Sequence, residues 1–269
     1  MIHPTAIIDP KAELAANVSV GAFSIIGAGV RIDEGTVVGP HVVIDGPTQI
    51  GKRNHIFQFA SVGAEPQDKK YRGEPTRLVI GDDNTIRENV TLNRGTIQDR
   101  GETTIGSRNW IMAGVHIAHD CVVGNDTIFA NAVALAGHVI VEDYAILGGY
   151  TLVHQFCRIG EHSFCGMGSV INQDVPTFVT VSGNLARPHG INSEGLKRRG
   201  FSAEQISVIK RAYRTLYRSS TPLESAILSM LAQEDPTDVL QPLIAFLQSA
   251  TRGIVRDRKS TRLNSSHVS

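Results

Sequence analysis

The chain has 269 residues, 41% of them hydrophobic and only 6% aromatic, and its 26 basic side chains balance its 26 acidic ones. That apolar content excludes wholesale disorder, and the zero net charge argues against a general nucleic-acid binder. The balance hides a gradient: residues 1–186 carry 13 basic against 19 acidic side chains, and residues 187–269 carry 13 against 7.

In chain order, the first signal is a six-residue period. Ile2, Ile8, Leu14, Val20, Ile26, Ile32, Val38, Ile44, Ile50, Ile56 and Val62 are all aliphatic, and the pattern resumes at Ile80, Ile86 and Leu92. It restarts in a new phase at Ile105 and runs through Ile111, Ile117, Val123, Phe129, Leu135, Val141, Leu147, Val153, Ile159, Cys165 and Ile171. Six fits neither a helix nor an alternating strand. It predicts short strands separated by turns, three to an 18-residue coil, with one aliphatic side chain per hexad pointing inward. A narrow prism filled this way has little room for aromatic rings.

Two segments break the period. Residues 63–79 are polar and contain proline, and residues 98–104 shift the phase. Both are expected as loops projecting from a β-solenoid domain spanning 1–186. Helical signals follow in a smaller domain, 187–256. Ser202 with Gln205 forms a capping box opening a helix to about Arg218, with Ile206, Ile209, Tyr213 and Leu216 on one side. Thr221-Pro222-Leu223-Glu224 and Asp235-Pro236-Thr237-Asp238 read as two further helix starts. Residues 257–269 lack any pattern and read as a disordered tail, a candidate non-native addition.

Cys121, Cys157 and Cys165 form no disulfide framework and no paired zinc motif, which points to a reducing compartment, the cytoplasm. No leader-like basic and apolar run opens the sequence, and no apolar stretch is long enough to span a membrane.

Candidate chemistry gathers in the second section of the prism. With an 18-residue coil, His119, Gly137 and Gln155 stack in one outer column, flanked by His138 and His154, with His116 nearby. A neutral histidine beside a carboxylate, here Asp120, is a suitable general base near neutral pH. A glycine N–H beside it is suited to holding an oxyanion. Together they describe acyl transfer to a hydroxyl. Two other readings share the repeat: a hexapeptide-repeat zinc enzyme of carbonic anhydrase type, which needs three matched histidine ligands, and a non-catalytic β-helical scaffold.

The motifs are more specific than the period. His116-Ile117-Ala118-His119-Asp120-Cys121, Leu135-Ala136-Gly137-His138-Val139, Val153-His154-Gln155-Phe156-Cys157, Gly73-Glu74-Pro75-Thr76-Arg77 and the run from Asn192 to Phe201 carry a family likeness. From residue 1 to about 256, the chain resembles the acyl-carrier-protein–UDP-N-acetylglucosamine O-acyltransferases, the first enzymes of lipid A synthesis. The resemblance implies a left-handed parallel β-helix of hexapeptide repeats, a homotrimer with sites between subunits, and no metal or other cofactor. It implies transfer of an (R)-3-hydroxyacyl group from acyl carrier protein to the 3-hydroxyl of UDP-N-acetylglucosamine.

In that likeness His119 would be the general base, Asp120 its orienting partner and the Gly137 N–H the oxyanion donor. Asp68 and Lys70 would contact the glucosamine ring, reaching to a neighbouring subunit. His116, His138, His154 and Gln155 would bind substrate hydroxyl, phosphate or acyl groups, and Asn192, Glu194, Arg198 and Arg199 the nucleotide. Asn93 departs from the pattern, standing where relatives often have histidine. Met167 aligns with the position that gauges the acyl chain. Its side chain would displace roughly three or four methylenes relative to glycine, which predicts a donor of about ten carbons rather than about fourteen.

Overall fold

The computed structural model describes residues 1–219, 221–232, 235 and 237–256. The tail expected at 257–269 lies outside them. Strands of two to five residues follow one another around a three-sided prism, and each pairs in parallel with the strand one coil away. The fold is a left-handed parallel β-helix capped by helices.

Among the described residues, the first face holds nine strands, from Ile7–Ile8 to Val170–Ile171, and the second eight, from Glu13–Leu14 to Arg158–Ile159. The third face runs from Ser19–Val20 to Val179–Ser182. It closes with Arg187–Ile191, which pairs antiparallel to its neighbour. The expected domain boundary at 186/187 thus falls inside this final hairpin.

The period decides what is buried. Every predicted inward residue from Val20 to Ile171 is buried, while Ile2, Ile8 and Leu14 line the open end. A second residue in each hexad, two places earlier, also points in. Val18, Ser24, Val30, Thr36, Val42, Thr48, Asn54 and Ala60 begin that series, so the expectation of one inward side chain per hexad was half of the pattern. Where this residue is polar, it binds the next coil. The Asn54 Oδ1 accepts from Asn84 N at 2.9 Å, Asn84 Oδ1 from Asn109 N at 2.9 Å, and Asn109 Oδ1 from Thr127 N at 2.8 Å. This ladder satisfies buried amides that a purely aliphatic core would strand.

Corner residues take the left-handed conformation, which is unfavourable for side chains with a β-carbon. Phe23, His41 and Phe59 have φ of 59°, 55° and 63°, and their rings stack at 5.2 and 5.4 Å, recovering contact along the corner.

Both interruptions leave the prism where the first face turns into the second. The first is shorter than predicted, and the second begins and ends earlier in the chain than predicted. Arg77–Ile80 and Glu102–Ile105 pair with each other as strands, because Leu78, Ile80, Thr103 and Ile105 are buried and continue the core. The excursions themselves are residues 65–76 and 94–101.

The cap contains helices α1 (Ser193–Arg198), α2 (Ala203–Tyr217), α3 (Leu223–Leu231) and α4 (Gln241–Ser249). The capping box of α2 forms as read, with Ser202 and Gln205 exchanging bonds. α3 starts one residue later than its predicted cap at Thr221: Pro222, with ψ of 154°, is still extended and is itself the N-cap. α4 starts later still, because Asp235 spends its oxygens on Thr237 and Leu240 in the preceding turn. Val208, Ile209, Ala212 and Leu216 of α2 pack with Ala226, Met230, Leu243 and Phe246 over Phe178.

Candidate active site

The candidate site lies on the corner between the first and second faces, across three coils. The register His116↔Ala134↔Leu152 and Ile117↔Leu135↔Val153 fixes the 18-residue column. The turn backbone stacks accordingly, with His138 N donating to His119 O at 3.0 Å and Phe156 N to Gly137 O at 3.2 Å.

His119 Nδ1 lies 2.8 Å from Asp120 Oδ2. Asp120 is buried and held from three other directions. Thr96 N donates to its Oδ1 at 2.9 Å, Thr96 Oγ1 to its Oδ2 at 2.6 Å, and its own N–H donates to Thr103 Oγ1 at 2.8 Å. Burial alone pushes the carboxyl pKa up, but the bonds from His119 and Thr96 outweigh it and hold the group below the ordinary aspartate value. An ionised Asp120 accepts only, so the proton between it and His119 belongs on Nδ1. The Nε2 lone pair of His119 is then left for a substrate proton.

Gly137 sits against that ring. Its N–H has no hydrogen-bond partner among the described residues. His138 meets His119 edge-on at 5.0 Å, stacks on Phe156 at 4.4 Å, and bonds through Nδ1 to Asp99 Oδ2 at 2.8 Å. His116 bonds through Nδ1 to Thr91 Oγ1 at 2.7 Å, and burial, then the nearby His119, pull its pKa down. It is therefore a neutral hydrogen-bonding group.

The rest of the predicted set is more dispersed. His154 and Gln155 are exposed one coil further on, and among the described residues the His154 ring bonds only to the Gln155 carbonyl. Asp68 and Lys70 sit on the 65–76 excursion, where Asp68 Oδ1 accepts from Lys70 N. The base of that excursion is pinned by Arg94, which donates to Gly46 O, Gly63 O and Tyr71 Oη, and by Asn93, which donates to Glu65 O.

The α1 group docks on a different corner, between the second and third faces. Asn192 caps α1 through Gly195 N and donates to His162 O. Arg199 covers the Tyr144 ring at 5.0 Å and donates to its carbonyl, with burial lowering its pKa. Glu194 pairs with Lys197, and Arg198 is exposed. Met167, 82% exposed, stands on the third corner. The histidine cluster, the α1 group expected to hold the nucleotide and Met167 thus occupy three different corners of one chain.

Thr96, Thr103, Asp99 and Phe156 were not singled out from sequence. Phe156 was within reach, since it follows His138 by one coil. The others lie on or beside an excursion, where the period carries no information.

The donors of the cluster are already engaged in hydrogen bonds. One atom each from His119, Asp120 and His138 can be chosen within 4.8 Å of one another. Asp120 Oδ2 already receives two hydrogen bonds, and both histidine Nδ1 atoms face carboxylates. The set has two imidazoles rather than the three that the zinc reading requires, and it does not favour that reading.

Comparison with known proteins agrees with the geometry. The family profile described as Udp N-acetylglucosamine O-acyltransferase, Domain 2, matches residues 174–255, and that of the bacterial transferase hexapeptide (six repeats) matches 102–137. The acyl-[acyl-carrier-protein]–UDP-N-acetylglucosamine O-acyltransferase of Herminiimonas arsenicoxydans is 58% identical over 260 residues, covering 95% of this chain and 99% of that one. Among solved structures, LpxA of Acinetobacter baumannii superposes with a TM-score of 0.93 at 48% identity, covering 95% of this chain and 99% of that one. The UDP-N-acetylglucosamine acyltransferase of Francisella novicida gives 0.94 at 40% identity, covering 100% and 99%.

Proposed function

The chain belongs to the acyl-[acyl-carrier-protein]–UDP-N-acetylglucosamine O-acyltransferase family, and from that premise we propose that His119 is the general base of its reaction. The protein transfers an acyl group from acyl carrier protein to UDP-N-acetylglucosamine in lipid A biosynthesis.

In our reading, Nε2 of His119 takes the proton of the sugar 3-hydroxyl as that oxygen attacks the thioester carbonyl. The Gly137 N–H receives the carbonyl oxygen as it becomes an oxyanion. Collapse breaks the carbon–sulfur bond, and the departing carrier thiolate recovers the proton from the His119 imidazolium. Asp120 holds the ring in the required tautomer and stabilises its cation. The observation that carries this reading is the 2.8 Å contact of His119 Nδ1 with a buried carboxylate already held by Thr96. Replacing His119 with alanine tests it.

The finer assignments belong to the same proposal. Asp68, Lys70, His116, His138, His154 and Gln155 contact sugar, phosphate or acyl chain, and Asn192, Glu194, Arg198 and Arg199 the nucleotide. The donor is an (R)-3-hydroxyacyl chain of about ten carbons, limited by Met167. The unit is a homotrimer. Support comes from the exposed apolar residues Ile7, Ile25, Val43 and Leu152 on the first face, and from functional groups lying on separate corners that only neighbouring subunits can bring together. The acidic carrier docks at the basic cap, where α2 exposes Lys210, Arg211 and Arg214, with Arg218 exposed at its C-cap. Three buried free thiols support a cytoplasmic setting.

A further inference from the structure

We infer that Thr96 is a positioning residue of the reaction, acting on His119 through Asp120. The inference rests on the reading of His119 as the base.

Thr96 is 1% exposed and belongs to the short excursion 94–101. Its backbone N–H reaches one oxygen of Asp120 at 2.9 Å and its hydroxyl the other at 2.6 Å. Both carboxylate oxygens are therefore gripped by one residue, and the plane of the carboxylate cannot turn without breaking a bond. The hydroxyl ends on Oδ2, the oxygen that faces His119 Nδ1. From the strand into which the same excursion returns, Thr103 Oγ1 accepts the Asp120 N–H. The two feet of the excursion thus hold the backbone and side chain of the residue that orients the base.

The excursion is built to keep Thr96 in place. Thr96 O accepts Gly101 N at 2.9 Å, and a β-carbon on Gly95 would stand 2.2 Å from Glu102 N, so the chain doubles back with no slack. A threonine that served only to close this loop would need its backbone alone. The hydroxyl is turned instead onto a buried carboxylate, where a charge-assisted bond is strong and its loss is felt.

Thr96→Val keeps the shape and the N–H bond but removes the hydroxyl. It should lower kcat about tenfold, the equivalent of one strong hydrogen bond. KM for both substrates should stay within about twofold, and the thermal midpoint should fall by no more than the loss of one buried hydrogen bond accounts for. Thr96→Ser should recover most of the loss. In an Asp120→Ala background Thr96→Val should cost nothing further, because the two act as a unit. Wild-type kcat in Thr96→Val, no recovery in Thr96→Ser, or full additivity with Asp120→Ala overturns the inference. Full turnover in His119→Ala overturns the base assignment instead, so the two failures are distinguishable.

Discussion

The His119 ring rests directly on Gly137: a β-carbon at that glycine would stand 2.5 Å from Cε1 and 2.7 Å from Nε2 of the imidazole. Atoms cannot approach that closely, so any side chain at 137 must turn the ring out of its place. Gly137→Ala is expected to lower kcat by about a hundredfold or more, the scale of losing a positioned base. The coil backbone tolerates alanine, since this glycine is not among those with positive φ. Unchanged kcat in a folded Gly137→Ala protein would remove the ring's position against residue 137 from the mechanism.

His119→Ala should abolish turnover, a loss of about a thousandfold or more, while the thermal midpoint barely moves. Near-normal activity would refute the mechanism. Presenting the 3-amino analogue of the sugar nucleotide in the same assay reads whether the acceptor atom must be oxygen.

Asp120 also makes an acid-stability prediction. Its native pKa lies below the ordinary value, so its contribution is complete above the ordinary aspartate range and disappears as pH falls through the depressed native value. The gap in thermal midpoint between wild type and Asp120→Asn should be constant near neutrality and narrow in acid below that range. A gap that widens with acid contradicts the sign.

Burial pushes the thiols of Cys121 and Cys165 up to about 12 and that of Cys157 to about 11. The folded protein should therefore resist thiol reagents at pH 8 and release all three cysteines on denaturation. Rapid labelling of the native protein would show that the prism opens.

For chain length, graded donors should show a preference near ten carbons, and Met167→Gly should move it toward longer chains by roughly three or four methylenes. A wild-type preference for about fourteen carbons sinks the assignment.

Much of this molecule was legible before folding. Every residue that the hexads named from Val20 to Ile171 is buried, and the 18-residue column located His119 beside Gly137. What escaped has a physical reason. The second inward residue of each hexad is chemically mixed (Ser24, Thr36, Asn54, Leu78), so hydrophobicity does not mark it. Thr96 and Asp99 meet Asp120 and His138 through an excursion whose path no period encodes. Position along the column also hid a distinction: His154 shares the neighbourhood of His138 in sequence spacing, yet among the described residues its ring bonds only to the carbonyl of its own neighbour Gln155.

The unpaired N–H of Gly137 is not unique to that residue: those of His119 and Gln155, one coil to either side, are equally without partners among the described residues. The scaffold thus offers the same outward donor again and again, each translated by about 4.8 Å along the axis. Where catalysis happens is then a choice written in side chains on a repeating rack. A chain with an imidazole at position 137 and no side chain at 155 would find the same backbone waiting one notch along, so the reacting atoms could migrate without any change of fold.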